Sequence, residues 1–255
     1  MSIGGLSKAR LGRMHDVMAG HVEHGEVPGI VTLVSRRGEV HVDAIGTKAV
    51  GGSDPIRRDT IFRITSMTKP ITAAATMILV EECKLRLDEP VDRLLPELAD
   101  RKVPKRLDGP LDDTVPANRP ITVRDLLTFR MGFGLIIGPP DVYPIQRAVS
   151  EQRIMTLGPP KPPTPHAPDE WIRRFATLPL MLQPGETWMY NTGSYVLGVL
   201  IARASGQPLE TFFRERTHLR AARHEGHRVQ RAGCEARPAG DLLRGQSRNR
   251  GARAP

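Results

Sequence analysis

Ser66-Met67-Thr68-Lys69 puts a hydroxyl and an amine three residues apart. On a helix of 3.6 residues per turn these side chains share a face, so the Lys69 ammonium comes within reach of the Ser66 hydroxyl. The chemistry on offer is nucleophilic. A serine hydroxyl needs a base before it attacks a carbonyl carbon, and a lysine serves once desolvation and the positive end of a helix favour its neutral form. Pro70 suits the first turn of such a helix, where a missing N–H costs nothing. The bare pattern is weak, because roughly 0.2–0.3 accidental matches are expected in a chain of this length. A solvated helix start has the same spacing.

Tyr190 offers a second group. It follows a Gly-Glu-Thr-Trp turn and precedes an apolar run, a place from which a phenol can enter a cleft and relay a proton. A buried tyrosine satisfying one hydrogen bond explains it as well. His21 and His24 are also three apart, but no third ligand accompanies them, and a polar helix face accounts for them better than a metal. No metal and no cofactor is implied. Cys83 and Cys234 have no partners at metal-ligand spacing and are read as free thiols. No Gly-x-Ser-x-Gly elbow, phosphate loop or dinucleotide fingerprint is present.

The elements that must position these groups are legible in outline. Leu11, Met14, Met18 and Val22 recur at helical spacing and predict a helix with one buried stripe, ending near Gly25. GIVTLVS and EVHVDAIG, separated by Arg36-Arg37-Gly38, predict a β-hairpin. The segment IFRITSMTKPITAAATMILVEECKL reads as a buried helix, and LDEPVDRLLPEL as a turn and a short helix. Thr122 and Asp125 form a capping-box pair for VRDLLTF, which Gly132 stops. The prolines between Gly138 and Pro168 predict a stiff surface loop without regular structure at the rim of a site. Asp169 is read as the cap of a helix through Phe175, and Gly206 as the end of the helix after Tyr190.

Apolar residues make up 39% and charged residues 25% of 255 residues, a composition suited to a soluble domain with a substantial core. No run is long enough to cross a bilayer, and the charged start MSIGGLSKARLGRMHDVM reads as no export signal, so a cytoplasmic protein is expected. Of the net charge of +9, two thirds falls on residues 217–255, which carry nine arginines and three acids. The rest is near neutral, and although the Arg-rich tail could bind nucleic acid electrostatically, no nucleic-acid or membrane partner is expected.

Three ordered segments, FRITSMTKPITAAATMILVEECKLRLDEPVDRLLPEL, ITVRDLLTFRMGF and LQPGETWMYNTGSYVLGVLIARASGQPLETFF, resemble the class C β-lactamase-like serine hydrolases, which include β-lactamases, penicillin-binding D-alanyl-D-alanine peptidases and esterases. The resemblance runs from the first helix to about Arg216. It implies Ser66 as the acylated nucleophile, Lys69 as base or proton partner and Tyr190 as proton relay. Thr192 stands where the family's Tyr-x-Asn motif has Asn. It keeps a hydrogen-bonding group but lacks the carboxamide's two donors, which weakens its implied substrate contact. Phe129 stands where members often carry His. The implied fold is α+β: a helical part, an N-terminal β-hairpin, and C-terminal strands completing one antiparallel sheet.

Beyond Phe213 the family continues with a Pro-Leu-Gly-Met turn and a Lys/His-x-Gly strand, whereas this chain reads THLRAARHEGHRVQRAGCEARPAGDLLRGQSRNRGARAP. Codons for His218 to Ala232 can be chosen so that reading one base later yields IFEPLGMKDTGFSV, the family-like continuation. A frameshift near Thr217 is therefore expected. Residues 1–216 then form an incomplete hydrolase domain lacking its C-terminal strands, and 217–255 an aberrant, disordered tail in which His224-Glu225-Gly226 is a decoy. The expected activity is hydrolysis of a small carboxylic ester, or of a β-lactam or other amide, through a Ser66 acyl-enzyme, impaired by the truncation. A non-catalytic ligand-binding module is the alternative.

Overall fold

The computed structural model describes residues 4–155 and 166–216, which fall into two compact units, the first ending at Arg63 and the second beginning at Ile64. In the first, Ser7 caps helix α1 (Lys8–Glu23) by accepting from the Arg10 N–H at 3.4 Å. Leu11, Met14, Met18 and Val22 all lie on the less exposed side of α1, but each is half-buried; the expected buried stripe is only partly covered. The helix packs on a hairpin of β1 (Gly29–Arg36) and β2 (Glu39–Gly46), paired antiparallel from Gly29 opposite Gly46 to Arg36 opposite Glu39. Arg37 and Gly38 turn the chain with φ of 48° and 80°, the left-handed pair that matches the twist of two strands. His15 meets Asp43 at 2.7 Å, which places α1 over the face bearing Asp43; on the opposite face Leu33 and Val40 stay exposed.

The second unit is built around α6 (Thr192–Ser205), which is apolar enough to be buried along most of its length and packs against α2 (Thr68–Glu81), α3 (Val123–Leu127), α5 (Pro168–Ala176) and α7 (Leu209–Arg216). Val196, Leu200 and Ile201 of α6, Ala75 and Leu79 of α2, Leu126 of α3, Phe175 of α5 and Phe212 of α7 form one continuous core. Thr122 and Asp125 make the anticipated capping box, and Gly206 closes α6 at φ 71°. A bidentate Arg119–Asp125 pair holds the start of α3.

Several expectations give way to local chemistry. Helix α3 ends at Leu127, five residues before Gly132, because the backbone turns left-handed at Phe129 (φ 57°). Helix α4 (Pro144–Glu151) forms inside the proline-rich stretch: Pro144 occupies the first helical position, where no N–H is needed, and Gln146 accepts from the Tyr143 N–H. The cap of α5 is Ala167, again with proline first, and Asp169 sits in the first turn instead. LDEPVDRLLPEL makes two single 3₁₀ turns, Val91–Arg93 and Pro96–Leu98. A small antiparallel pair not anticipated from sequence, β3 (Lys102–Pro104) with β4 (Thr114–Pro116), interrupts the helical unit. The segment PPKPP and the tail with Cys234 lie outside the described residues.

Candidate active site

Ser66 sits in a 3₁₀ turn, Thr65–Met67, that runs directly into α2. The turn is entered through Thr65 at φ 39°, a left-handed conformation that costs a non-glycine residue energy and is held by its surroundings. Helical spacing then aligns Lys69 with Ser66, and the ammonium Nζ donates to the Ser66 Oγ at 3.0 Å. Ser66 is exposed and Lys69 half-buried, so the hydroxyl is open to an incoming carbonyl.

Tyr190 arrives from 124 residues away, and its position is fixed through the backbone. The Met189 N–H donates to the Phe129 carbonyl at 2.7 Å, and the Leu135 N–H donates to the Tyr190 carbonyl at 2.8 Å. Two glycines allow these approaches. A Cβ on Gly134 would stand 2.6–2.7 Å from Met189 atoms, and one on Gly193 would stand 2.6 Å from the Leu126 carbonyl oxygen, so α6 can press its first turn against α3. Between Tyr190 and α6 the chain reverses at the buried Asn191, with φ 89° and ψ −58°. The Tyr190 hydroxyl thereby donates to the Ser66 Oγ at 2.8 Å.

Oγ of Ser66 is thus shared by an ammonium and a phenol. The Ser66 hydroxyl and then the Lys69 ammonium favour the phenolate and hold the Tyr190 pKa below its usual 10. The Lys69 Nζ also lies 4.6 Å from the centre of the Tyr190 ring. Such a cluster can take a proton from a serine and return it to a leaving group.

Against known proteins, the family profile Beta-lactamase matches residues 14–241. The chain belongs to the Beta-lactamase family. It is 42% identical over 193 residues to Protein Rv1367c of Mycobacterium tuberculosis, covering 75% of this chain and 45% of that one. It is 37% identical over 189 residues to Esterase EstB of Burkholderia gladioli, covering 71% and 42%. Among solved structures, EstCE1, described as a hydrolase with promiscuous acyltransferase activity, superposes with a TM-score of 0.68 at 26% identity, over 83% of this chain and 51% of that one. The chain therefore spans about half the length of the relatives it matches. The family match extends past Arg216, where the resemblance read from the sequence stops.

Within this β-lactamase-family site the structure brings Ser66, Lys69 and Tyr190 together and leaves Thr192 apart. Thr192 is buried at the start of α6, and its hydroxyl points to the Met155 sulfur at 3.8 Å. The carboxamide nearest the motif belongs to Asn191, whose Nδ2 donates to the Tyr195 hydroxyl at 3.2 Å. Two neighbours escaped the sequence reading as site residues. Trp188 stacks on Tyr190 with centroids 5.8 Å apart at 27°, and the Phe129 ring meets Tyr190 at 5.9 Å and Trp188 at 6.1 Å. The signal for Trp188 was its i−2 spacing from Tyr190, which in extended chain puts both rings on one side. Among the described residues no cluster of three metal-ligating side chains occurs, and no helix is long and apolar enough to cross a membrane.

Proposed function

We propose that this chain derives from a serine hydrolase that opens carboxylic esters through an acyl-enzyme on Ser66. The observation that carries the reading is the shared Ser66 Oγ, 3.0 Å from the Lys69 Nζ and 2.8 Å from the Tyr190 hydroxyl. Tyr190, as the phenolate favoured by Lys69, takes the Ser66 proton while Oγ bonds to the carbonyl carbon. The tetrahedral oxyanion collapses, the carbon–oxygen bond to the alcohol breaks, and Tyr190 protonates the departing alkoxide. In the second half Tyr190 takes a proton from water, the hydroxide adds to the acyl carbon, and Ser66 leaves with its proton restored. Ester and water become acid and alcohol.

Support for an ester over a β-lactam comes from EstB, named an esterase. The exposed Ser66 also leaves room for an alcohol in place of water, which would make the same acyl-enzyme an acyl donor. Residues 217–255 are read as out of frame. In that reading the shift displaces the family's Lys/His-x-Gly strand, and removing one oxyanion donor costs about 10²–10³-fold in rate. The coding DNA tests the frame, and stopped-flow hydrolysis of an activated ester tests the chemistry. An acylation burst that disappears in Ser66→Ala supports the hydrolase; saturable binding without release of the leaving group supports a binding module instead.

A further inference from the structure

Arg130 is an exposed arginine whose guanidinium meets no carboxylate among the described residues and binds two consecutive carbonyls instead. Its Nε donates to the Gly185 carbonyl at 3.1 Å and its Nη2 to the Glu186 carbonyl at 3.2 Å, while the Gly185 N–H donates back to the Arg130 carbonyl at 2.7 Å. These three bonds clamp the turn 183–186, and a planar fork fits two neighbouring carbonyls as a lysine's point charge does not. The turn's internal bonds fix its shape: the Glu186 N–H donates to the Gln183 carbonyl at 3.1 Å, and the Gln183 N–H to the Glu186 Oε2 at 3.2 Å. Its placement comes from outside, from the Asn118 N–H, which donates to the Gln183 Oε1 at 2.8 Å, and at the other end from Arg130. Two exposed residues, Thr187 and Trp188, then lead to Met189 and Tyr190.

We propose that Arg130 is a positioning residue for Tyr190: by holding the turn that leads into it, the guanidinium sets the phenol against the Ser66 Oγ and so sets the rate of acyl transfer without touching the substrate. The kinetic consequence rests on the Ser66 acyl-enzyme reading; the clamp itself concerns only where Tyr190 stands. One short segment carries the anchors. Phe129 turns left-handed at φ 57°, and the carbonyls of Phe129 and Arg130 both take N–H groups of the incoming chain, from Met189 at 2.7 Å and from Gly185. Past them the Leu135 N–H donates to the Tyr190 carbonyl at 2.8 Å. The approach to Tyr190 is therefore pinned at Gly185, Glu186, Met189 and Tyr190 itself, and the pin on the Glu186 carbonyl is the Arg130 side chain. Without the guanidinium the chain between Glu186 and Met189 gains freedom, and the 2.8 Å bond from the Tyr190 hydroxyl to Ser66 has little tolerance for it. A displacement of about 1 Å at a reacting group costs up to about 10²-fold in rate.

The test is the titration of Tyr190 in the full chain, read as phenolate absorbance in the ultraviolet and isolated by subtracting Tyr190→Phe. The wild type should titrate below 10, because the Ser66 hydroxyl and the Lys69 ammonium favour the phenolate. Arg130→Ala should move the midpoint up toward 10, and Arg130→Lys, which keeps the charge and loses the fork, should move it the same way. Stopped-flow acylation by an activated ester should slow about tenfold in both variants, with the ester's dissociation constant within about twofold of wild type. In a Tyr190→Phe background Arg130→Ala should slow acylation no further, as expected of a residue that acts through Tyr190. An unchanged Tyr190 titration in folded Arg130→Ala would overturn the clamp. So would a wild-type titration in Arg130→Lys beside a shifted one in Arg130→Ala, which marks an effect of charge alone. Should Arg130→Ala not fold, an unshifted titration in Arg130→Lys overturns the clamp by itself. A Ser66 that takes no fluorophosphonate label while the Tyr190 titration shifts in both variants would instead overturn the acyl-enzyme reading and leave the clamp standing.

Discussion

The Tyr190 hydroxyl donates to the Ser66 Oγ at 2.8 Å, joining the start of α2 to the segment just before α6. The proposed acylation depends on that junction, because Lys69 alone reaches Ser66 through local helical spacing. Replacing the phenol tests it. Tyr190→Phe keeps the ring against Trp188 and Phe129 while removing the proton, so the fold should survive and acylation should slow by about 10²–10⁴-fold. The phenolate fraction grows as pH rises through a pKa held below 10, so the wild-type acylation rate should climb over that region. A stopped-flow pH profile should show this limb in the wild type and lose it in Tyr190→Phe.

Lys69→Arg keeps the cation and removes the reversible proton. A guanidinium stays protonated at working pH, and its planar fork does not reproduce the single 3.0 Å contact to Ser66. Loss of acylation by about 10²-fold or more is expected, with a circular dichroism spectrum like that of the wild type. Wild-type burst rates in this variant would remove Lys69 from proton transfer.

Asn191 bears the reversal that delivers Tyr190. Its φ of 89° and ψ of −58° lie in a region that glycine enters freely, asparagine tolerates and β-branched residues resist. Asn191→Val should be about 1–3 kcal/mol less stable than Asn191→Gly in urea denaturation, and should also slow labelling of Ser66 more. Equal stability of the two variants would show that the turn does not constrain the site.

How far the sequence reveals this arrangement varies from residue to residue. The hairpin, α1, α2 and α6 follow from periodicity and turn residues that agree with the tertiary structure, and the Thr122–Asp125 box is visible because it is a purely local hydrogen-bond pattern. Ser66 and Lys69 are legible for the same reason. The contact of Tyr190 with them is long-range, and only a family resemblance could suggest it. Helix α4 was hidden because proline was read as a breaker, when at the first helical position it is a starter. The contact of Phe129 with Trp188 and Tyr190 was hidden because Phe129 lies 59 to 61 residues from them, and its left-handed φ leaves no trace in composition.

Glu97 gives the helical unit a defined acid sensitivity. Its carboxylate accepts two hydrogen bonds from Arg203, both at 2.8 Å, and Arg203 in turn reaches Asp169 at 2.8 Å, tying α6 to α5 and to the turn at Pro96–Leu98. The Arg203 hydrogen bonds hold the Glu97 pKa below its usual 4.5. A carboxyl whose folded pKa is depressed adds stability that is present above its unfolded pKa and lost as pH falls through the folded one. Glu97→Gln should therefore cost about 0.5–1 kcal/mol at neutral pH, the pair being partly screened by solvent. The gap should close as denaturation is repeated at pH values falling below 4.5 and then below the folded pKa. A gap independent of pH would mean that the ion pair contributes through packing alone.

The central claim, that Ser66 is the acylated nucleophile, is tested most directly by locating a fluorophosphonate label by mass spectrometry in the folded protein. The account predicts the probe mass on the peptide containing Ser66, and its absence from Ser66→Ala and from unfolded protein. A folded chain that carries no label on Ser66, or carries it on another residue, would contradict it.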